Sequence, residues 1–174
     1  MKRKEILRAQ DFSFIHHGEY SKELPKRNFT GARYTGLKFT SYKGVQHYTA
    51  MFNTRSAEDP QGQNYDQPIT LLGLRPILQD KKKKMLLRDA VLKSIAEGEV
   101  LVGCDCPAFL YWGYRYIDTQ KGIIDPKYKE KRAPNVRNPK RRGIICKHLN
   151  LVMTVLPFNA SSIVKDLKSK ELKK

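Results

Sequence analysis

Cysteine is scarce in this chain: three residues among 174, too few and too odd in number for a disulfide framework. No apolar run approaches the roughly 20 consecutive residues of a membrane helix, so no membrane partner is expected. No apolar leader opens the chain either, and synthesis in a reducing, cytoplasmic compartment is expected. Acid is in short supply, with 17 Asp+Glu against 34 Lys+Arg and a net charge of +17. Such a surplus concentrates a protein near polyanions and makes nucleic-acid binding salt-dependent, although it equally suits an acidic protein partner. Also missing are a glycine-rich phosphate loop, a GxSxG elbow, an HExxH helix and any carboxylate pair at a distinctive spacing. Those absences argue against an enzyme and against a small-molecule substrate. There is no internal repeat, and the length suits one domain with tails.

What cysteine there is falls into a pattern. Cys104 and Cys106 form a CxC pair, and after thirty-nine intervening residues Cys146 and His148 form a CxH pair. The plain alternative is three small buried hydrophobes and an unrelated histidine. Against it stands the placement of every cysteine of the chain in two tight pairs, one of them beside a histidine. Four sulfur and nitrogen ligands suit one tetrahedral zinc ion with no open position, which makes the expected site structural. A deaminase-like centre would instead need a glutamate beside a ligand and a free coordination position. Val100-Leu101-Val102 reads as a buried strand feeding the first pair. His148 leads into the apolar run Leu149 to Leu156, a helix that Pro157 should stop. Cys146 at the start of that helix, next to Lys147, is placed to ionise.

At these residues the chain resembles the SWIM-type zinc finger, with its CxC…CxH ligands at Cys104, Cys106, Cys146 and His148. Pro107 and Phe109 after the first pair, and Gly143 and Leu149 around the second, extend the likeness to about a third of the chain. The segment between the pairs is longer than in the usual compact finger. In its basic, proline-rich part, RAPNVRNPKRRGIICKHL, the chain is similar to small zinc-finger proteins of tailed-phage genomes. The resemblance implies a strand before the first pair, a helix at the second, and binding to DNA or to protein.

Between the ligand pairs, FLYWGYRY gathers Phe109, Tyr111, Trp112, Tyr114 and Tyr116. These rings are expected to pack on the zinc knuckle, with base stacking as the alternative. The stretch from Lys121 to Arg142 is basic, and Pro126, Pro134 and Pro139 exclude a helix or a central strand there. Its Lys129, Lys131, Arg132, Arg137, Lys140, Arg141 and Arg142 are candidate nucleic-acid contacts on a loop tethered at both ends.

Elsewhere, Leu37 and Phe39, then Tyr48, Ala50 and Phe52, alternate with polar residues around Lys43-Gly44, which predicts a hairpin over 34–54. Residues 57–67 read as a polar loop and Ile69 to Leu72 as a strand. Asp80 as N-cap, Leu87, Val91 and Ile95 at four-residue spacing, and Gly98 as C-cap predict a helix near 80–97. Lys81, Lys82, Lys83 and Lys84 would then oppose the helix dipole, which suggests a polyanion contact. His16-His17 lacks partners at ligand spacing and reads as an exposed pair.

The expected fold is therefore α+β: a small antiparallel sheet with two main helices and a structural zinc knuckle. A basic arm (1–30) and a basic tail (159–174) flank a single domain (31–158), whose zinc site spans 100–156. The expected function is non-enzymatic nucleic-acid binding, DNA ahead of RNA, by a phage-like protein holding one zinc. The alternative is a virion structural or assembly protein that uses zinc as a staple and basic arms for contacts with neighbouring subunits.

Overall fold

A computed structural model describes residues 1–9, 31–55, 63–80 and 85–171. Strands β1 (Arg33–Tyr42) and β2 (Val45–Arg55) form the expected hairpin. Lys43 and Gly44 both take positive φ, 50° and 75°, as a two-residue turn between right-twisted strands requires. β3 (Asn64–Leu71) pairs with β2, and β4 (Val100–Val102) with β3, giving an antiparallel sheet in the order β1-β2-β3-β4. The polar loop expected over 57–67 is thus shorter: from Asn64 the chain is already in β3, while residues 56–62 lie outside the described ones.

Two helices follow β3 before β4: α2 (Leu74–Gln79) and α3 (Leu87–Glu97). Asp80 is the C-cap of α2 rather than the N-cap of α3, because Leu74, Ile77 and Leu78 start a helix one turn and a half earlier. Leu86 precedes α3 in an extended conformation, so the helix begins after the lysine run. Lys81 to Lys84 lie outside the described residues, as do His16 and His17. Gly98 does close α3, through its N–H to the carbonyl of Ser94, at 2.9 Å.

Both ends of the chain are less tail-like than their charge suggests. The expected arm begins with a helix, α1 (Arg3–Ala9), whose Ile6 is fully buried and whose Arg3 Nη1 donates to the carbonyl of Met153 at 2.8 Å. The expected tail is largely α7 (Ala160–Glu171). Ala160, Ile163 and Leu167 recur at helical spacing and are buried, and Tyr34 Oη donates to Asp166 Oδ2 at 2.8 Å, tying α7 to β1. Burial and that hydrogen bond to a carboxylate push the Tyr34 phenol above its ordinary range.

The core lies on one face of the sheet. Ala50, Phe52, Ile69, Leu71, Val100 and Val102 meet Val91 and Ile95 of α3, Leu149 and Val152 of α6 (Lys147–Val155), and Ile163 and Leu167 of α7. A 3-10 turn over Leu156–Asn159, holding Pro157, separates α6 from α7. The architecture is α+β, and among the described residues no helix is long and apolar enough to cross a membrane.

Candidate metal centre

After β4 the chain keeps pairing with β3: the Gly103 N–H donates to the Pro68 carbonyl (3.1 Å) and the Asp105 N–H to the Asp66 carbonyl (3.2 Å). This extension fixes Cys104 and Cys106, two residues apart, against the start of β3. Gly103 allows the approach, since a Cβ there would overlap the Tyr128 ring. Cys106 caps α4 (Pro107–Tyr111), and Cys146 occupies the N-cap position of α6, as its place in the sequence suggests. His148 sits in the first turn of α6, pointing its ring to within 5.1 Å of the Tyr65 ring.

These elements bring the four expected ligands together. Cys104, Cys106, Cys146 and His148 are all buried, with their ligand atoms within 4.8 Å of one another. A tetrahedral zinc with Zn–S of about 2.3 Å spaces its sulfurs about 3.8 Å apart, so a cluster of this size fits one ion. Among the described residues, His148 Nδ1 is buried without a hydrogen-bond partner. A buried donor or acceptor left in that state is costly, and ligation through Nδ1 would remove the cost.

The thiols point the same way. Burial pushes Cys104 and Cys146 above the ordinary thiol range. Hydrogen bonds from those two neighbours hold Cys106 well below it, with His148 acting in the same direction; the Phe109 N–H lies 3.3 Å from its Sγ. Three thiolates this close repel one another, and a divalent ion between them would neutralise that repulsion. Further N–H donors face the same sulfurs: Gln67 Nε2 (3.6 Å) and the Cys106 N–H (3.5 Å) both reach Cys104 Sγ. Gln67 is anchored by a second bond, from Nε2 to Thr54 Oγ1 at 2.8 Å. The cluster can hold one metal ion, and its Cys₃His chemistry is compatible with a zinc-stabilised fold.

Gln67 and Tyr65 fall in the stretch whose polar composition predicts a loop. Their two-residue spacing ahead of Ile69 and Leu71 is the strand signal that marks them. The segment between the ligand pairs is also more ordered than its prolines suggest. It forms α4, α5 (Tyr114–Lys121) and a 3-10 turn over Pro126–Tyr128, and Ile124 bridges Val102 in parallel. Phe109 and Tyr114 are buried, their rings stacked with centroids 6.4 Å apart, which is the expected packing on the knuckle. Tyr111 is not: the residue is 57% exposed.

The candidate phosphate contacts divide. Lys129, Lys131, Arg137, Lys140, Arg141 and Arg142 are exposed. Arg132 is exposed but engaged by Glu130, Nη2 to Oε2 at 2.8 Å, and that pairing holds the Glu130 carboxyl down at about 2. A residue not singled out from the sequence, Asn138, is fully buried and organises the turn over 138–142. Its Nδ2 donates to the carbonyls of Trp112 (3.1 Å) and Arg142 (2.9 Å), and its Oδ1 accepts from the Arg142 N–H at 2.9 Å. The turn places Arg141 at a positive φ of 51°.

Compared with known proteins, the chain matches no family model, and no curated protein or solved structure shows significant similarity to it.

Proposed function

We propose that this chain is a non-catalytic, zinc-stapled module of the SWIM type that binds nucleic acid through the segment between its ligand pairs. The observation that carries the reading is the basic turn over 137–142. Arg137, Lys140, Arg141 and Arg142 are exposed on a turn locked by buried Asn138 and tethered at both ends by metal ligands. Cations held in a fixed arrangement bind phosphates without the entropy cost of ordering a loop first. With four protein ligands on the metal, no position remains for an activated water. A metal-loaded structure with three protein ligands and a solvent molecule on the ion would overturn the non-catalytic assignment.

The test replaces Arg137, Lys140, Arg141 and Arg142 together by Ala and follows DNA and RNA affinity against salt. The slope of log K against log salt should flatten, by up to about 0.9 for each duplex-DNA phosphate that the variant no longer neutralises. Metal content and melting temperature should change little. An unchanged slope with disrupted self-assembly would transfer the turn to the acidic surface of a neighbouring subunit, as in a virion assembly protein.

A further inference from the structure

The basic turn does not stand apart from the aromatic helices. Asn138 bonds the turn to Trp112, and Pro134 closes on Gly113, where φ is +76° and a Cβ would overlap the proline ring. Folding back in this way sets the Arg137 guanidinium 5.3 Å from the centre of the Tyr111 ring and that of Arg141 5.1 Å from the centre of Tyr116. The rings of the segment thus serve two purposes. Phe109 and Tyr114 lie inside the core; Tyr111 is more than half exposed, and Tyr116 packs one side against the core while part of it meets solvent, each beneath an exposed arginine.

A hydrophobic core has no use for a ring left in water, and an ordinary phosphate contact has no use for a ring at all. A nucleotide uses both: its base stacks on an aromatic face while its phosphate meets a guanidinium. Duplex DNA keeps its base faces inside the helix, so the rings are available only to strands whose bases are unpaired. Resting on the nucleic-acid reading above, we infer that Tyr111, Tyr116, Arg137 and Arg141 form a stacking platform for unpaired nucleotides. The protein then prefers single strands to duplex, and it recognises bases as well as charge.

The experiment measures binding of the full-length, metal-loaded chain to three labelled probes of equal length, about 15 nucleotides. They are oligo-dT, an abasic strand of the same backbone, and a duplex. Oligo-dT should bind roughly tenfold more tightly than the abasic strand. Replacing Tyr111 and Tyr116 by Ala should abolish that preference, bringing oligo-dT affinity down to that of the abasic strand, while Tyr111→Phe with Tyr116→Phe should retain it. Trp112, the single tryptophan, gives a second readout, because its emission should respond to oligo-dT more than to the abasic strand. Tyr111→Ala by itself removes an exposed ring and keeps the test clear of misfolding. Equal affinity for oligo-dT and the abasic strand, or a preference that survives loss of both rings, would overturn the platform and leave a surface that reads charge only. Failure to bind any of the three probes at low salt would overturn the nucleic-acid reading together with it.

Discussion

Strands β2 and β3 press Phe52, Ile69 and Leu71 against Ile95, Ile163 and Leu167, whereas the segment from Pro107 to Ile145 is assembled from short pieces held by individual clamps. In the first region, long strands and helices of eleven or twelve residues bury continuous apolar stripes, and order follows from area removed from water. In the second, helices of five and eight residues fall below the length at which a helix holds by itself. Order there comes from Phe109, Tyr114, Ile117, Ile123, Ile124 and Ile145, set singly into the same core, and from Asn138, Pro134 on Gly113 and the candidate metal ligands at either end. The region that presents the basic turn therefore adds side-chain clamps and a candidate metal cluster to burial made by separated residues rather than by continuous stripes.

Removing the metal should expose that difference most strongly. Cys104→Ala or His148→Ala should cost on the order of several kcal/mol, since binding energy at a structural site is folding energy. Elemental analysis of protein purified without chelators should give one zinc per chain. Hydrogen exchange on chelator-treated protein should show protection lost over 107–145 while β1 to β3 remain protected. Loss of protection in both regions at once would mean that they fold as a single unit, and the comparison would collapse.

A core substitution in the other region is the converse test. Leu167→Ala, at a position 1% exposed, should cost about 2–5 kcal/mol in denaturant unfolding while metal stoichiometry stays at one. A cost below about 0.5 kcal/mol would return α7 to the status of a frayed tail. The five lysines of the 165–174 stretch, set around this apolar spacing, give the segment the look of a basic tail. By contrast the four ligands were legible because CxC and CxH place two donors each within one strand step or half a helical turn, a constraint carried by local sequence. The hairpin was legible for the same reason: two-residue alternation and a Lys-Gly turn are local signals. Asn138, Gln67 and the short helices α4 and α5 were not, because their roles depend on partners brought from distant parts of the chain. Gln67 acquires its function from Thr54 and Cys104, and Asn138 from Trp112. Asp80 misled because a capping residue followed by a helical pattern looks the same whether it closes one helix or opens the next.

Within the clamped region, Asn138→Ala should cost about 1–3 kcal/mol, the penalty of removing a buried amide that serves the part-buried Trp112 and Arg142 backbone groups. The more telling readout is functional. The variant retains every basic side chain, so if preorganisation of the turn matters, oligonucleotide affinity should fall even though the net charge is unchanged. Affinity equal to that of the parent would show that charge density suffices and that the clamp serves the fold alone.

Asp118 gives the finest probe of the inter-ligand region. It lies on α5, fully buried, and among the described residues neither carboxylate oxygen has a hydrogen-bond partner. Burial pushes its carboxyl well above the ordinary carboxylate range, with Lys121 opposing the shift. A folded-state pKa above the unfolded value means that the native state binds the extra proton. The associated stability is present below the unfolded carboxylate pKa and declines as pH rises through the window between the two values. Asp118→Asn keeps the shape and removes the ionisation. The variant should therefore gain on the parent as pH rises through that window, by at most about 1.4 kcal/mol per pH unit. The measurement is the difference in unfolding free energy between variant and parent, both metal-loaded, followed upward from the ordinary carboxylate range at about pH 4, so that proton release by the thiols cancels. A difference that is flat with pH would mean that Asp118 ionises equally in the folded and unfolded chain, and that water reaches α5 through a segment the clamps were expected to seal.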